Sequence, residues 1–234
     1  MLAIDPMTNP TIFLGSFEWR QPITTLTDML VAFVCIYAVI QFSRFKGEKP
    51  ENYKYYKAYF VFFTLSMIAS SWLGHGLTAY LGPYWRVVGW VLSSVAHLYL
   101  GMASLYQIKS AIQPSFYKII KGFFFLQFFV FAFLILNPLT THFIYAQLCS
   151  VISLVGLIFP MHIFNYIKTK NKGSLIIVLS IVCGFLPALA FNLKFSVSRW
   201  FNFQDISHTL MAGIMLIMYF GVSRIAMGKK AKIS

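Results

Sequence analysis

Acidic residues are scarce in this chain: Asp and Glu together number six among 234 residues, against nineteen Lys and Arg. Charged residues make up 11% and hydrophobic residues 59%, with a mean hydropathy of +0.72, values far from those of an ordinary soluble domain. Long polar stretches are missing as well, the longest being the dozen residues 44–55. Nothing there could fold as a second unit, so one transmembrane domain over 1–234 is expected, with function confined to a helical bundle or its faces. Cysteine is sparse: Cys35, Cys149 and Cys183 fall inside apolar segments without paired spacing, which excludes a disulfide framework or thiolate metal site and leaves packing roles. There is no Gly-rich phosphate loop and no strong internal repeat of the inverted-transporter kind. Residues 1–20 lack a basic start, and Asp5, Pro6 and Pro10 interrupt any apolar core, so no cleavable signal peptide is expected and the first span is its own insertion signal.

What is abundant is apolar sequence. Seven runs, roughly 24–42, 55–80, 84–107, 117–136, 143–167, 174–193 and 204–222, are each long enough to cross about 30 Å of hydrocarbon at about 1.5 Å per residue. The expected fold class is therefore all-α: a polytopic, multi-pass integral membrane protein built as a seven-transmembrane helix bundle. Fifteen Lys and Arg fall in segments on one side (44–57, 109–121, 168–172 and 224 onward), while Arg20, Arg86, Lys194 and Arg199 fall on the other. The positive-inside rule then puts the C-terminus in the cytoplasm and the N-terminus outside. A net charge of +13 would suit nucleic acid, but the basic residues occur singly or in short clusters between apolar runs, so no nucleic-acid partner is expected.

Against this background a few ionisable residues stand out. A charged side chain near the bilayer centre costs about 2.5–3.5 kcal/mol on insertion scales, and even near a helix end it needs water or a partner. Asp28 lies about one turn into the first helix, His75 near the outer end of the second, and Asp205 and His208 in the first two turns of the seventh. All four map to one level near the outer face, with Glu18 in the approach to it. His97 differs: a third helix starting near Tyr84 carries it about 20 Å inward. Ser71 and His75 are four apart and Asp205 and His208 three apart, so each pair projects from one helix face. Imidazoles from different helices, with carboxylates and hydroxyls orienting them, are the ingredients of a metal site in a bundle, and zinc with an open position makes a hydroxide nucleophile.

Plainer roles stand beside each of these. An intramembrane His also serves as an interhelical hydrogen-bonding contact, and Ser70, Ser71, Gly74 and Gly76 also read as small residues for close packing. Asp205, after Asn202, also reads as an acid at a helix N-terminus. His142, in a short outer loop, and His162, deep in the fifth helix, read as structural. The twenty-five Phe residues fill lipid-facing and interhelical surface or an acyl-chain pocket.

The segment Ser71-Trp-Leu-Gly-His75, the segment Gln204-Asp-Ile-Ser-His208, and Glu18-Trp19 ahead of Asp28 resemble the seven-helix membrane metal-hydrolase superfamily of alkaline ceramidases and the adiponectin and progestin receptors. The chain resembles a divergent branch of it. Where that family carries a His four residues before the last His this chain has Gln204, and its third helix offers His97 in place of an Asp. The resemblance implies Zn2+ held by His75, His208 and His97, with Ser71, Asp205 and Asp28 as catalytic groups: Asp205 or Asp28 moves a proton and Ser71 helps hold the oxyanion. The implied reaction is hydrolysis of an amide or ester bond in a membrane lipid entering between helices. The alternative is a non-enzymatic seven-helix sensor or ligand-binding protein, or an ion transporter, using the same polar cluster. Retinal pigment chemistry is excluded, because 204–222 contains no Lys.

Overall fold

A computed structural model describes residues 10–228. Asp5 and Pro6, on which the expectation of no cleavable signal peptide partly rests, and Lys229, Lys230 and Lys232 of the basic tail lie outside the described residues. Every long element is helical: α1 (Pro22–Arg44), α2 (Tyr53–Ala69), α3 (Thr78–Leu81), α4 (Arg86–Gln107), α5 (Pro114–Leu136), α6 (Phe143–Val151), α7 (Phe159–Thr169), α8 (Lys172–Cys183), α9 (Phe185–Asn192) and α10 (Phe203–Ala226). The sequence supplies their starts. Proline opens α1 and α5, where its missing N–H costs nothing. Asn171 caps α8 and Asn202 caps α10, the latter in a capping box with Asp205.

Three of the expected helices are not regular throughout. A π-helical turn, Ser70–Gly76, joins α2 to α3, marked by a bond from Leu77 N to Trp72 O of 2.8 Å that spans five residues; a second, Ile152–Ile158, joins α6 to α7. Such wide turns gather at functional sites because they re-aim side chains. The expected 174–193 helix is likewise divided at Gly184 into α8 and α9.

α1 lies between α2 and α10, α2 runs along α4, and α10 runs along α8; α5 covers α4, and α7 packs on α8. Phe42, Phe60 and Tyr219 meet ring to ring at 5.9–6.4 Å at the junction of α1, α2 and α10. Small residues set the close crossings: a Cβ on Gly89 would stand 2.2 Å from Ser70 Oγ, and one on Gly173 2.7 Å from Gly221 O. The outer surface is apolar, with Ile119, Phe129 and Phe133 of α5 about two-thirds exposed (66%, 64% and 66%). Among the described residues, six helical stretches are long and apolar enough to cross a membrane: Pro22–Arg44, Pro83–Gln107, Pro114–Leu136, Phe143–Thr169, Lys172–Asn192 and Phe203–Ala226. The stretch from Tyr53 to Leu81, carrying Lys54, Lys57 and several tyrosines, is outside that set.

One element was not expected from the sequence. β1 (Ile12–Leu14) and β2 (Phe17–Trp19) pair antiparallel around Gly15, whose φ of +63° suits the first central position of a tight hairpin turn. The hairpin docks on α3 and the π turn. Phe17 stacks on Tyr80 at 5.8 Å and Trp19 on Trp72 at 6.1 Å, while the Glu18 N–H donates to Tyr80 Oη at 2.6 Å.

Candidate functional site

Beneath the hairpin, α1, the π turn and the start of α10 bring together the polar residues that the sequence scatters. Asp28, 1% exposed, is the hub. His208 Nδ1 lies 3.2 Å from its Oδ1 and His75 Nε2 lies 3.6 Å from its Oδ2, with the two rings edge to face at 6.2 Å. The capping box of α10 and the π turn aim these imidazoles: the first anchors the start of α10 within two turns of His208, and the second carries His75 itself.

The hydrogen bonds around the hub have a consequence. His75 Nδ1 is bonded to Gln21 Oε1, and a carboxamide oxygen only accepts, so this contact favours the tautomer with the proton on Nδ1. In the neutral ring Nε2 is then a bare lone pair, and it faces Asp28 Oδ2, a buried oxygen with no hydrogen-bond donor of its own. Two acceptors facing one another across 3.6 Å are stable only with a proton or a cation between them.

The other expected site residues fall into place around this pair, not all of them as anticipated. Asp205 is fully buried as the acid of the capping box: Oδ2 accepts from Asn202 N at 2.7 Å and Oδ1 from Thr24 Oγ1 at 2.8 Å. It ties α10 to α1. Ser71, also fully buried, donates its one hydroxyl proton to Thr25 O at 2.9 Å, so that proton is already committed to the α1 backbone and does not point at a reacting oxygen. His97 stands apart. It is eleven residues, about 16 Å, further along α4 than Arg86, whose Nε donates to Gly74 O of the π turn at 2.8 Å. Its neighbours are Ser150 Oγ at 3.5 Å and the edge of Phe63. The structure therefore brings His75 and His208 together around Asp28 and leaves His97, the third member of the expected set, apart from them.

Gln21, Thr24, Thr25 and Thr27 were not expected at the site. Their signal is present in Gln21-Pro-Ile-Thr-Thr-Leu-Thr-Asp28, which repeats polar groups three and four apart along one face of an apolar helix. The two histidines read as structural do act that way. His142 caps α6, and His162 joins Ser104 and Ser174, each at 3.0 Å, in a buried network with Asn165.

Two imidazoles and a carboxylate are a donor set that catalytic zinc takes, with a fourth position open. Two atoms bound to one tetrahedral zinc stand about 3.3 Å apart and two such rings about 5 Å centre to centre. The His75–Asp28 spacing of 3.6 Å is close to the first figure, and the ring separation of 6.2 Å is about 1 Å wider than the second. Among the described residues, no group of three or more His, Cys, Asp or Glu is already spaced to hold a metal ion. The donor types are those a cation takes; the spacing would suit one only if the rings closed by about an ångström.

Fold and site together define an all-α helix bundle of the membrane type with a buried histidine–carboxylate centre. The chain belongs to a family of unknown function, DUF6962, whose model matches residues 23–227 and so takes in every residue of the centre except Gln21. No curated protein and no solved structure matches it.

Proposed function

We propose that the protein crosses the membrane seven times, with its N-terminus outside, and that the His75–Asp28–His208 centre binds zinc and hydrolyses an amide or ester bond of a membrane lipid. The six long apolar helices, the succession of helical segments from Tyr53 to Leu81, broken at Leu77, and the one-sided distribution of Lys and Arg support the topology. The observation that carries the chemistry is the His75 Nε2 lone pair opposed to Asp28 Oδ2, a buried arrangement that calls for a positive charge. When bound there, zinc supplies a polarised carbonyl and a water acidified towards neutrality. His75, His208 and Asp28 would hold it. Gln21 keeps His75 in the tautomer that presents Nε2, and Thr27, 3.5 Å from His208 Nδ1, steadies the second ring. The hairpin shields the centre from bulk water on its own side, and Ser71 and Asp205 hold α1 against the π turn and α10. A lipid substrate suits the apolar exterior, through which it would reach the centre laterally.

Zinc analysis of the purified protein tests this reading. Bound zinc lost in His75→Ala and in His208→Ala but kept in His97→Ala, with release of fatty acid from amide- or ester-linked lipids lost in the same two variants, supports it. Purified protein that takes up no zinc and hydrolyses neither lipid class overturns it. A second reading has one observation in its favour: His208 Nδ1 already sits within hydrogen-bonding distance of Asp28 Oδ1. A metal-free sensor or ion carrier would use the cluster to hold a proton between His75 and Asp28, and zinc-free protein with proton-coupled transport or ligand binding is its signature.

A further inference from the structure

The opposite end of the bundle carries a second feature, independent of the histidine centre. Lys109, after the end of α4, and Pro114, Tyr117, Lys118 and Lys121, in the first turns of α5, line a groove of about 380 Å3. Lys109 Nζ lies 5.0 Å from the centre of the Tyr106 ring and 5.8 Å from that of Tyr117, so the two tyrosines hold it over the groove. Among the described residues none of the three lysines has an acidic partner; the Glu51 carboxylate, on the adjoining segment, accepts from the Tyr106 hydroxyl. Three like charges around one groove repel each other, and an anion lowers that energy.

The groove also has direction. Lys118, Lys121 and Gly122, Phe125 and Phe129 follow one another along one face of α5 at helical spacing. Beside Gly122 the space is open, with nothing beyond its own stretch of helix within 4 Å of where a Cβ would stand, and Phe125 and Phe129 below it are exposed (39% and 64%). A charged mouth at the start of an apolar span, continued by an open apolar track along that span, has the shape of one amphiphile: a phosphate group above and an acyl chain below.

We infer that Lys109, Lys118 and Lys121 form a site for the phosphate headgroup of an anionic phospholipid, whose chain lies over Gly122 against Phe125 and Phe129. The lysines lie on the side where basic residues concentrate, which is where anionic lipids enrich in a cytoplasmic leaflet. Free phosphate shares the headgroup chemistry but makes no use of the apolar track.

The test uses the full-length protein in phosphatidylcholine bilayers with trace spin-labelled phosphatidylglycerol, reading the fraction held immobile at the protein. The wild-type protein is expected to prefer the anionic probe over spin-labelled phosphatidylcholine. Its preference should fall about fivefold for each lysine removed in Lys109→Gln, Lys118→Gln and Lys121→Gln. The triple variant Lys168→Gln, Lys170→Gln, Lys172→Gln removes the same charge elsewhere on that side and is expected to keep the preference. Gly122→Leu fills the track without changing charge and is expected to weaken binding of the lipid alone. The inference is overturned if both triple variants lose the preference equally, if the wild-type protein shows none, if Gly122→Leu binds the lipid unchanged, or if inorganic phosphate displaces the probe as readily as unlabelled phosphatidylglycerol does.

Discussion

Asp28→Asn separates the consequences of the buried hub most cleanly, because the structure assigns it opposite effects with and without metal. The amide is nearly the same size as the carboxylate. Its oxygen can keep the place of Oδ1, 3.2 Å from His208 Nδ1, while its NH2 replaces Oδ2 and donates to the His75 Nε2 lone pair 3.6 Å away. Two opposed acceptors become a donor and an acceptor. In the metal-free wild type that contact needs a bound proton, so at a pH where the proton is lost the amide relieves a buried unsatisfied acceptor, which returns about 1 kcal/mol or more. For a chain of this size that amounts to a rise of about 2–4 °C in the unfolding temperature of the metal-free protein. Zinc reverses the order. At a free concentration a hundredfold above its dissociation constant, a ligand stabilises the folded state by about 2.7 kcal/mol, or about 5–11 °C. Wild type should gain that amount, and the variant, deprived of an anionic ligand, should gain little. Thermal unfolding in detergent micelles with a chelator and then with buffered zinc reads both halves. Two results would refute the reasoning: a variant less stable than wild type in chelator, or a zinc shift equal in the two proteins.

Other expectations follow from neighbouring contacts. Gln21→Ala removes the acceptor that fixes the His75 tautomer, and zinc affinity should drop about tenfold to a hundredfold in a competitive chelator titration. Asn202→Ala abolishes the capping box of α10 and should lower stability by about 0.5–2 kcal/mol, with Asn202→Ser recovering most of it in the same unfolding assay. Gly221→Leu drives a side chain into Ile177 and the Gly173 carbonyl, 2.8 and 3.0 Å from its Cβ, and should cost about 1–3 kcal/mol or prevent folding, visible as loss of the monodisperse peak in gel filtration. His162→Phe leaves Ser104 and Ser174 without their imidazole partner and should destabilise by about 1–3 kcal/mol while leaving zinc content unchanged.

Much of the helical frame was legible from periodicity and length, since a segment that cannot hydrogen-bond to water in an apolar surround must satisfy its backbone internally. The starts of α1, α5 and α10 were legible too, from Pro22, Pro114 and the Asn202–Asp205 pair. The π turns were not, because whether the turn at Ser70–Gly76 widens depends on what packs against Gly74 and Gly76. Those neighbours are Arg86 and Trp19, which come from other parts of the chain. The hairpin escaped for a similar reason: two three-residue strands carry little pattern, and their stability comes from Trp72 and Tyr80 beneath them.

The amino-acid sequence by itself determined that this is an all-α chain with apolar helices, that its charge is one-sided, and that Asp28, His75, Asp205 and His208 come near one level. Those follow from composition and from rise per residue, which are local quantities. Only the tertiary structure decided the roles. It makes Asp28 the hub, sends Asp205 to a helix cap, commits Ser71 to the Thr25 carbonyl, and leaves His97 about 16 Å along α4 from Arg86, in a different environment. Depth along a helix can be counted from one chain segment. Which atom faces which depends on the rotation and crossing of helices packed against each other, and that is settled by contacts such as Gly89 on Ser70 and Gly173 on Gly221 between residues far apart in sequence.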